Sequence, residues 1–332
     1  MASVKITEIE YQPFGRCLKM ENGLIELVVT LDVGPRVIRF AVPGKTNMMA
    51  EIPDMQWENG WKIWGGHRLW TSPEAMPLTY EVDNTPCQYE ILENGARFWR
   101  EPDPISGLVK EIEIGLDEET SVVDILHRIT NNNPWEIEFA AWALSVLAPG
   151  GKEVVPFNTR QTGLLANRTM ALWDYTRMND HRVWWGSKYM TLTQDRNETQ
   201  PFKVGMDNES GWAAYFKGDC LFIKYFMHDM DGKYPDGGMS FETYTNERFL
   251  EMETLSPLEL VAPGESIEHV EVWELMPGFE MPEDDDDALE ALLDPIVNAV
   301  GCDGDCDACS HSDECGHGDD CDCGEHHHHH CH

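Results

Sequence analysis

Turn residues interrupt this sequence about every ten residues, and the segments between them have the composition of β-strands. The pairs Gly34-Pro35 and Pro43-Gly44 close two apolar, β-branched runs. A later run alternates apolar positions with polar or glycine positions, through Ile112, Ile114 and Leu116. No sustained helical periodicity precedes residue 284, and no unit repeats at a fixed period. The pattern predicts an all-β protein, built as an antiparallel sandwich or barrel.

The chain of 332 residues divides into segments of different composition. Residues 1–282 are expected to form one large β-domain, with residues 170–208 as long loops over a site. Residues 283–301 are predicted to be an acidic linker with a short helix, which either packs on the body or binds a partner. Residues 302–332 are rich in Cys and His and are expected to be a flexible metal-binding tail.

The charge of the chain excludes several classes of partner. Lys and Arg total 24 against 60 Asp and Glu, for a formal net charge of −36, and residues 283–332 contain no Lys or Arg. Nucleic acid and anionic membrane surfaces are disfavoured, because both are bound through clustered basic side chains. No apolar run is long enough for a membrane span, and the first ten residues lack the apolar core of a signal peptide. The expected location is the cytoplasm, and the acidic body would also suit a salty one.

The densest chemical segment covers residues 57–74. Four tryptophans surround Gly65-Gly66-His67-Arg68, namely Trp57, Trp61, Trp64 and Trp70. Indole faces stack on the C–H faces of sugars, paired glycines permit a close backbone approach, and His and Arg can bind hydroxyl or carboxylate groups. The segment favours a sugar-binding site, with a Trp-rich core corner as the alternative.

Short motifs occur in a definite order across residues 5–276. They are Asn22-Gly23-Leu24, Asp32-Val33-Gly34-Pro35-Arg36, Gly65-Gly66-His67-Arg68-Leu69-Trp70, Thr130-Asn131-Asn132, Met252-Glu253-Thr254-Leu255-Ser256-Pro257, Pro263-Gly264-Glu265 and Trp273. In order and spacing they resemble the galactose mutarotase-like superfamily, which includes the aldose 1-epimerases. The resemblance implies a β-supersandwich with a concave sugar-binding face.

Aldose 1-epimerases interconvert sugar anomers with a carboxylate base and a histidine acid, and the resemblance implies such roles here. Glu253 matches the base, and Glu251 has the same strand parity. The Asn-His pair that family mutarotases carry after the Thr-Asn turn is absent from residues 139–144, so His67 or His228 is expected to be the acid. The side chains expected to contact the sugar are Arg36, Arg68, Trp64, Trp70, Glu74, Lys224 and Asp236. Arg36 could equally brace the sheet.

The tail is the second chemical feature, with fifteen Cys or His among its last 31 residues. Thiolates and imidazoles at such spacings suit tetrahedral Zn²⁺ and would also bind Ni²⁺ or Cu⁺. The predicted ligands are Cys302, Cys306, Cys309, His311, Cys315, His317, Cys321, Cys323 and Cys331. The final histidines could instead belong to a purification tag.

Three functions remain open from the sequence. The first is an isomerase that resembles aldose 1-epimerase and needs no cofactor for catalysis. The second is a non-catalytic carbohydrate-binding protein of the same fold, which the missing Asn-His pair favours. The third is a metal storage or sensing protein that uses its tail.

Overall fold

The structure is a computed structural model that describes residues 3–299. Its elements, in chain order, are β1 (Lys5–Glu10), β2 (Arg16–Glu21), β3 (Glu26–Thr30), β4 (Val37–Ala41), β5 (Glu51–Gln56), β6 (Lys62–Ser72), β7 (Gln88–Ile91), β8 (Gly95–Trp99), β9 (Leu108–Leu116), β10 (Val122–Asn131), β11 (Ile137–Leu147), β12 (Lys152–Pro156), β13 (Met170–Leu172), β14 (Val183–Trp185), β15 (Tyr189–Thr193), β16 (Phe202–Met206), β17 (Trp212–Lys217), β18 (Cys220–Phe226), α1 (Pro235–Gly238), β19 (Phe241–Thr245), β20 (Leu250–Leu255), β21 (Glu259–Val261), β22 (Ser266–Pro277) and α2 (Asp286–Val297). The predicted all-β class is confirmed.

Two large antiparallel sheets contain all of these strands. The first sheet has twelve strands in the order β1-β2-β3-β4-β6-β11-β20-β19-β16-β13, with β5 paired to β6 and β21 paired to β11. The second has ten strands in the order β14-β15-β12-β17-β18-β22-β10-β9-β8-β7. The sheets pack face to face, since the ring of Phe40 on β4 lies 5.4 Å from those of Phe222 on β18 and Trp273 on β22.

Alternation along each strand determines which side chains enter the space between the sheets. On β22 the inward positions run from Ile267 through His269, Glu271 and Trp273 to Leu275, and all five are buried. The outward positions of the same strand are more exposed. This period of two is the pattern that the sequence predicted, and it places polar as well as apolar residues in the interior.

Strand β6 contains two glycines that no other residue could replace without strain. Gly65 and Gly66 have φ values of +89° and +67°. A Cβ atom would lie 2.0 Å from the carbonyl oxygen of Ala50 at the first position and 2.2 Å from that of Val37 at the second. The paired glycines therefore permit a close approach to neighbouring backbone.

Residues 3–290 belong to one compact unit, which contains both sheets. The segment 170–208, which was expected to be loops, also contains the short strands β13 to β16. No helix within residues 3–299 is long and apolar enough to cross a membrane. The predicted metal ligands between Cys302 and Cys331 lie outside the described residues.

Candidate functional site

A pocket of about 280 Å³ opens on the face of the twelve-stranded sheet that points away from the ten-stranded sheet. Its floor comes from β6, β11, β20 and β16, and the segments around them supply its walls. The lining residues are Met55, Trp57, Trp61, Ile63, Arg68, Trp70, Glu74, Tyr80, Trp142, Leu144, Trp173, Tyr175, Lys203, Tyr244, Phe249, Glu251 and Glu253.

The strand register explains why polar side chains meet in the floor of the pocket. Glu253 on β20 lies between Leu144 on β11 and Glu242 on β19, and Leu144 in turn pairs with Arg68 on β6. Residues that are paired across antiparallel strands point to the same face of a sheet. One row of side chains thus crosses four neighbouring strands beneath the pocket.

Two buried cations hold the carboxylates of this floor. The ammonium of Lys203 lies 2.9 Å from Glu253 Oε2 and 2.7 Å from Glu242 Oε2. Arg68 Nη1 lies 3.1 Å from Glu251 Oε1. Burial acts to lower the pKa of Lys203, but its two carboxylate neighbours outweigh burial and hold the pKa above its ordinary value. Lys203 therefore stays charged between its two partners.

Aromatic rings form the walls and cover both cations. The guanidinium of Arg68 lies 4.2 Å from the ring centroid of Trp70, and the ammonium of Lys203 lies 4.8 Å from Trp142 and 4.6 Å from Trp173. Such contacts are attractive because the faces of aromatic rings carry partial negative charge. The remaining indole and phenol surface of the walls is the kind that stacks on sugar rings.

Several buried polar atoms in this region have no hydrogen-bond partner. They include Oε1 of Glu253 and of Glu242, Nε of Arg68 and Nε1 of Trp61. Burial raises the pKa of Glu242 well above its ordinary value, and it also raises that of Glu251 against the opposing effect of Arg68. The site combines unused acceptors with unused donors, which is the pairing that hydroxyl groups satisfy.

The structure brings four of the predicted site residues to this pocket: Glu253, Arg68, Trp70 and Glu74. Glu253 is buried, and Trp142 Nε1 donates a 2.9 Å hydrogen bond to its Oε2. Glu74 is exposed at the rim, where the hydroxyl of Tyr80 donates a hydrogen bond to it. The roles predicted for these four residues stay predictions.

His67 lies on the other face of the sheet from Arg68, because successive residues of β6 alternate between faces. It is fully buried, with Nδ1 2.9 Å from Ser145 Oγ and Nε2 2.7 Å from His127 Nε2. Burial lowers its pKa well below the ordinary value. A sugar in the pocket would be separated from His67 by the sheet, so this residue does not fit the expected role of acid.

Lys224 was expected to contact the sugar, but it points between the sheets and does not line the pocket. Its ammonium lies 3.0 Å from Glu271 Oε1 and 3.3 Å from the carbonyl oxygen of Met252. Thr254 and Trp273 Nε1 donate further hydrogen bonds to the Glu271 carboxylate. The lysine is thus one member of an internal polar network.

Within the described residues, His67, His127 and Glu271 form the one cluster whose atoms lie close enough to bind a metal ion together. Hydrogen bonds already occupy these atoms. His127 Nδ1 donates to the carbonyl oxygen of His269 at 2.9 Å, so its Nε2 is the acceptor for His67 Nε2–H. Two ligands of one tetrahedral metal ion would also need a wider separation than 2.7 Å. The donor set fits a closed hydrogen-bond network better than a metal centre.

Arg36 and Trp64 lie outside the pocket lining. Arg36 is buried with Nη1 2.6 Å from Asp83 Oδ2, beside a separate cavity of about 30 Å³. Trp64 has a φ of +57° and donates a hydrogen bond to Asn84 Oδ1, and its ring packs on Phe14. Arg36 Nη1 also donates a 2.9 Å hydrogen bond to the carbonyl oxygen of Pro35. These contacts agree with the alternative that the sequence left open, in which Arg36 braces the sheet.

His228 and Asp236 also fall outside the lining residues of the pocket. His228 Nε2 lies 2.7 Å from Asp207 Oδ1, and its ring stacks on Tyr234. Asp236 belongs to the short α1 with a φ of +52°, and its Oδ2 lies 3.5 Å from Ser72 Oγ. The polar, turn-rich composition of residues 228–238 indicated a site. In the structure, the side chains of His228 and Asp236 contact Asp207 and Ser72 instead of the pocket.

Lys203, Glu242 and Trp142 are the floor residues that sequence reasoning missed. Alternation of apolar and polar residues on β16 and β19 could have indicated the faces of Lys203 and Glu242. Residues 139–144 of β11 are all apolar and give no such signal for Trp142. No local pattern shows that β16 pairs with β19 and β19 with β20. The meeting of Lys203 with Glu253 depends on that pairing.

Comparison with known proteins places this architecture among solved folds. No protein-family model matches the sequence, and no curated protein matches it. The structure of a galactose mutarotase-like protein from Lactobacillus casei has 9% sequence identity and a TM-score of 0.55, over 78% of this chain and 100% of that one. A TPR-domain containing protein from Parabacteroides distasonis has 12% identity and a TM-score of 0.57, over 80% of this chain.

This chain spans only 48% of the length of the Parabacteroides protein. At identities of 9–12% the likeness concerns the fold and not the chemistry of the site. The two antiparallel sheets and these structural neighbours agree with the β-supersandwich that the sequence resemblance implied. The chain has the galactose mutarotase-like β-sandwich fold.

Proposed function

We propose that the protein binds a sugar in the pocket on the outer face of its twelve-stranded sheet. The observation that carries this proposal is the composition of the pocket, with aromatic walls above a floor of buried carboxylates and cations. Indole rings would stack on the sugar ring, and the unpartnered atoms Glu253 Oε1, Arg68 Nε and Trp61 Nε1 would bind its hydroxyls. The volume of about 280 Å³ suits a monosaccharide.

The reaction that we propose is the interconversion of sugar anomers. Glu253 would accept the proton of the anomeric hydroxyl through Oε1, while Trp142 and Lys203 hold Oε2 in place. Glu251 would donate a proton to the ring oxygen, because burial raises its pKa and so favours the protonated form. The ring C–O bond breaks as a C=O bond forms at C1, and the open chain rotates about its C1–C2 bond. On closure Glu253 returns its proton to the carbonyl oxygen, and Glu251 takes its proton back from the hydroxyl that attacks C1.

The experiment is NMR exchange spectroscopy of α and β anomers on a panel of aldoses. We expect the wild-type protein to accelerate exchange of at least one sugar, and Glu253→Gln to lose at least about a hundredfold of that rate. Glu119→Gln is the charge-matched control, since Glu119 is exposed on the turn between β9 and β10. Acceleration that is equal in wild type and Glu253→Gln would contradict the assignment of the base.

A non-catalytic carbohydrate-binding protein is the second candidate. This candidate is favoured because no histidine occurs among the described residues that line the pocket. Saturable binding of a sugar by calorimetry, together with unchanged anomer exchange for every sugar that binds, would establish this candidate over the isomerase.

We further propose that residues 302–332 bind Zn²⁺ or a similar ion, since fifteen Cys or His occur among the last 31 residues. The measurement is the metal content of the purified full chain against a variant in which the seven tail cysteines are serine. Zinc should fall in the variant while sugar binding is retained. Equal metal content in both proteins would remove the proposed role.

A further inference from the structure

The pocket and its floor contain more carboxyl groups than cationic groups. The carboxyl groups are Glu74, Glu242, Glu251 and Glu253, and the cations are Arg68 and Lys203. Among the described lining residues no other Lys or Arg occurs. The surplus is mostly buried, because Glu242 and Glu253 are at most 1% exposed and Glu251 is 8% exposed.

Both cations already contact buried carboxyl groups. Lys203 contacts two carboxylates at 2.7 and 2.9 Å, and Arg68 contacts Glu251 at 3.1 Å. A phosphate or carboxylate on a ligand would have to displace one of these buried partners and leave it without a counter-charge, which is strongly unfavourable. The pocket is therefore a poor site for an anionic sugar.

A cationic group would meet the opposite situation. Glu253 Oε1 is an acceptor without a partner, and the rings of Trp57, Trp61 and Tyr80 add aromatic faces. The same kind of ring already covers the ammonium of Lys203 in this pocket. Carboxylates combined with aromatic faces are the usual surroundings of bound ammonium groups.

Burial raises the pKa values of Glu242 and Glu251, so the surplus of carboxyl groups is partly balanced by retained protons. A bound ammonium can replace such a proton. In that exchange the carboxyl O–H bond breaks, the proton passes to the buffer, and the carboxylate keeps the electron pair and faces the ammonium. The net charge of the pocket together with its contents is then the same before and after binding.

We infer that the ligand of this pocket is an amino sugar, bound through its ammonium group in preference to the uncharged sugar of the same shape and to the sugar phosphate. The inference rests on the proposed function, since it names the class of sugar that the same pocket takes. The three lining carboxyl groups that face the ammonium are Glu74 at the rim and Glu251 and Glu253 in the floor, while Glu242 contacts Lys203.

Isothermal titration calorimetry of the full-length protein tests the inference at about pH 6.5. The ligands are glucose, glucosamine, N-acetylglucosamine and glucose 6-phosphate, with galactose and galactosamine as a second pair. Each amino sugar should bind at least about tenfold more tightly than its parent sugar, and the phosphate should bind most weakly. The apparent enthalpy for the amino sugars should differ between phosphate and Tris buffers, which reports the released proton.

Three results would overturn the inference while leaving sugar binding intact. These are glucose 6-phosphate binding as tightly as glucose, glucosamine binding no more tightly than glucose, or N-acetylglucosamine matching glucosamine. If no sugar in the series binds, the proposed function itself fails, and the two failures are thus distinguished.

Variants locate the effect within the pocket. Glu74→Gln removes the exposed carboxylate at the rim without disturbing the floor, and we expect it to reduce the preference for the amino sugar severalfold. Glu119→Gln removes the same charge from an exposed turn of the other sheet and should leave the preference unchanged. Equal effects of the two variants would mean that only the overall negative charge attracts the ammonium.

Discussion

The Nε2 atoms of His67 and His127 lie 2.7 Å apart between the two sheets. Because His127 Nδ1 donates to a backbone carbonyl, the proton between the two rings belongs to His67, and Ser145 Oγ then donates to His67 Nδ1. Each ring carries one proton and is neutral. The pair is thus a fixed part of the interior rather than a free acid for a ligand.

These buried histidines should make the protein less stable in acid. Burial lowers the pKa of His269, a neighbour in the same network, to about 3. Between about pH 6.5 and 3 the unfolded chain binds a proton at this position that the folded chain does not, so stability falls as the pH falls. We expect His269→Gln to lower this slope by about 1.4 kcal/mol per pH unit in urea unfolding. A slope that is the same in wild type and His269→Gln would contradict this prediction.

Glu153 should act in the opposite direction. It is buried on β12, and burial raises its pKa from about 4.5 to about 8. Within that window the folded chain retains a proton that the unfolded chain has lost, so stability falls as the pH rises. Glu153→Gln should gain stability over wild type from pH 5 to pH 8, by up to about 1.4 kcal/mol per pH unit. A difference that is constant across the window would show that the carboxyl group is ionised in the folded protein.

Removing the ammonium of Lys203 should destabilise the floor of the pocket. Lys203→Met would leave Glu242 and Glu253 buried without a counter-charge, and a loss of about 3–5 kcal/mol in the free energy of unfolding at pH 7 is expected. The double variant Lys203→Met with Glu242→Gln should recover part of the stability, whereas an uncoupled pair would show additive losses.

The hydrogen bond from Trp142 to Glu253 can be tested without changing the aromatic wall. Trp142→Phe removes the Nε1 donor, so the affinity for the sugar and the anomer exchange rate should both fall. Trp173→Phe is the matched control, because Trp173 lines the same pocket over the same lysine. Equal losses in the two variants would assign the effect to stacking rather than to the position of the carboxylate.

The period-two pattern of the sequence was sufficient to predict the sandwich and the shared face of Glu251 and Glu253. The same pattern separates His67 from Arg68, which the motif had grouped because they are adjacent in sequence. Adjacent residues of a strand face opposite ways, so a motif read as one unit mixes pocket and interior. If the period of two had been applied within this motif, Arg68 and Trp70 would have been predicted to line the pocket and His67 would not.

The ion-pair partners of the buried lysines could not be predicted from the sequence. Lys203 meets carboxylates that lie 39 and 50 positions along the chain, and Lys224 meets Glu271 on a different strand. Strand order and register fix such contacts, and these depend on the packing of the whole domain. A lysine within an apolar strand indicated that a partner exists without indicating which one.

Lys224 donates a hydrogen bond to the carbonyl of Met252, the residue between Glu251 and Glu253. Strand β20 therefore contributes side chains to the floor of the pocket and a carbonyl group to the hydrogen-bond network between the sheets. The consequence concerns protein engineering: substitutions at Lys224 or Glu271, though hidden from any ligand, would shift the two carboxylates that face it. Changes in ligand preference are thus to be sought in libraries of interior positions as well as in those that line the pocket.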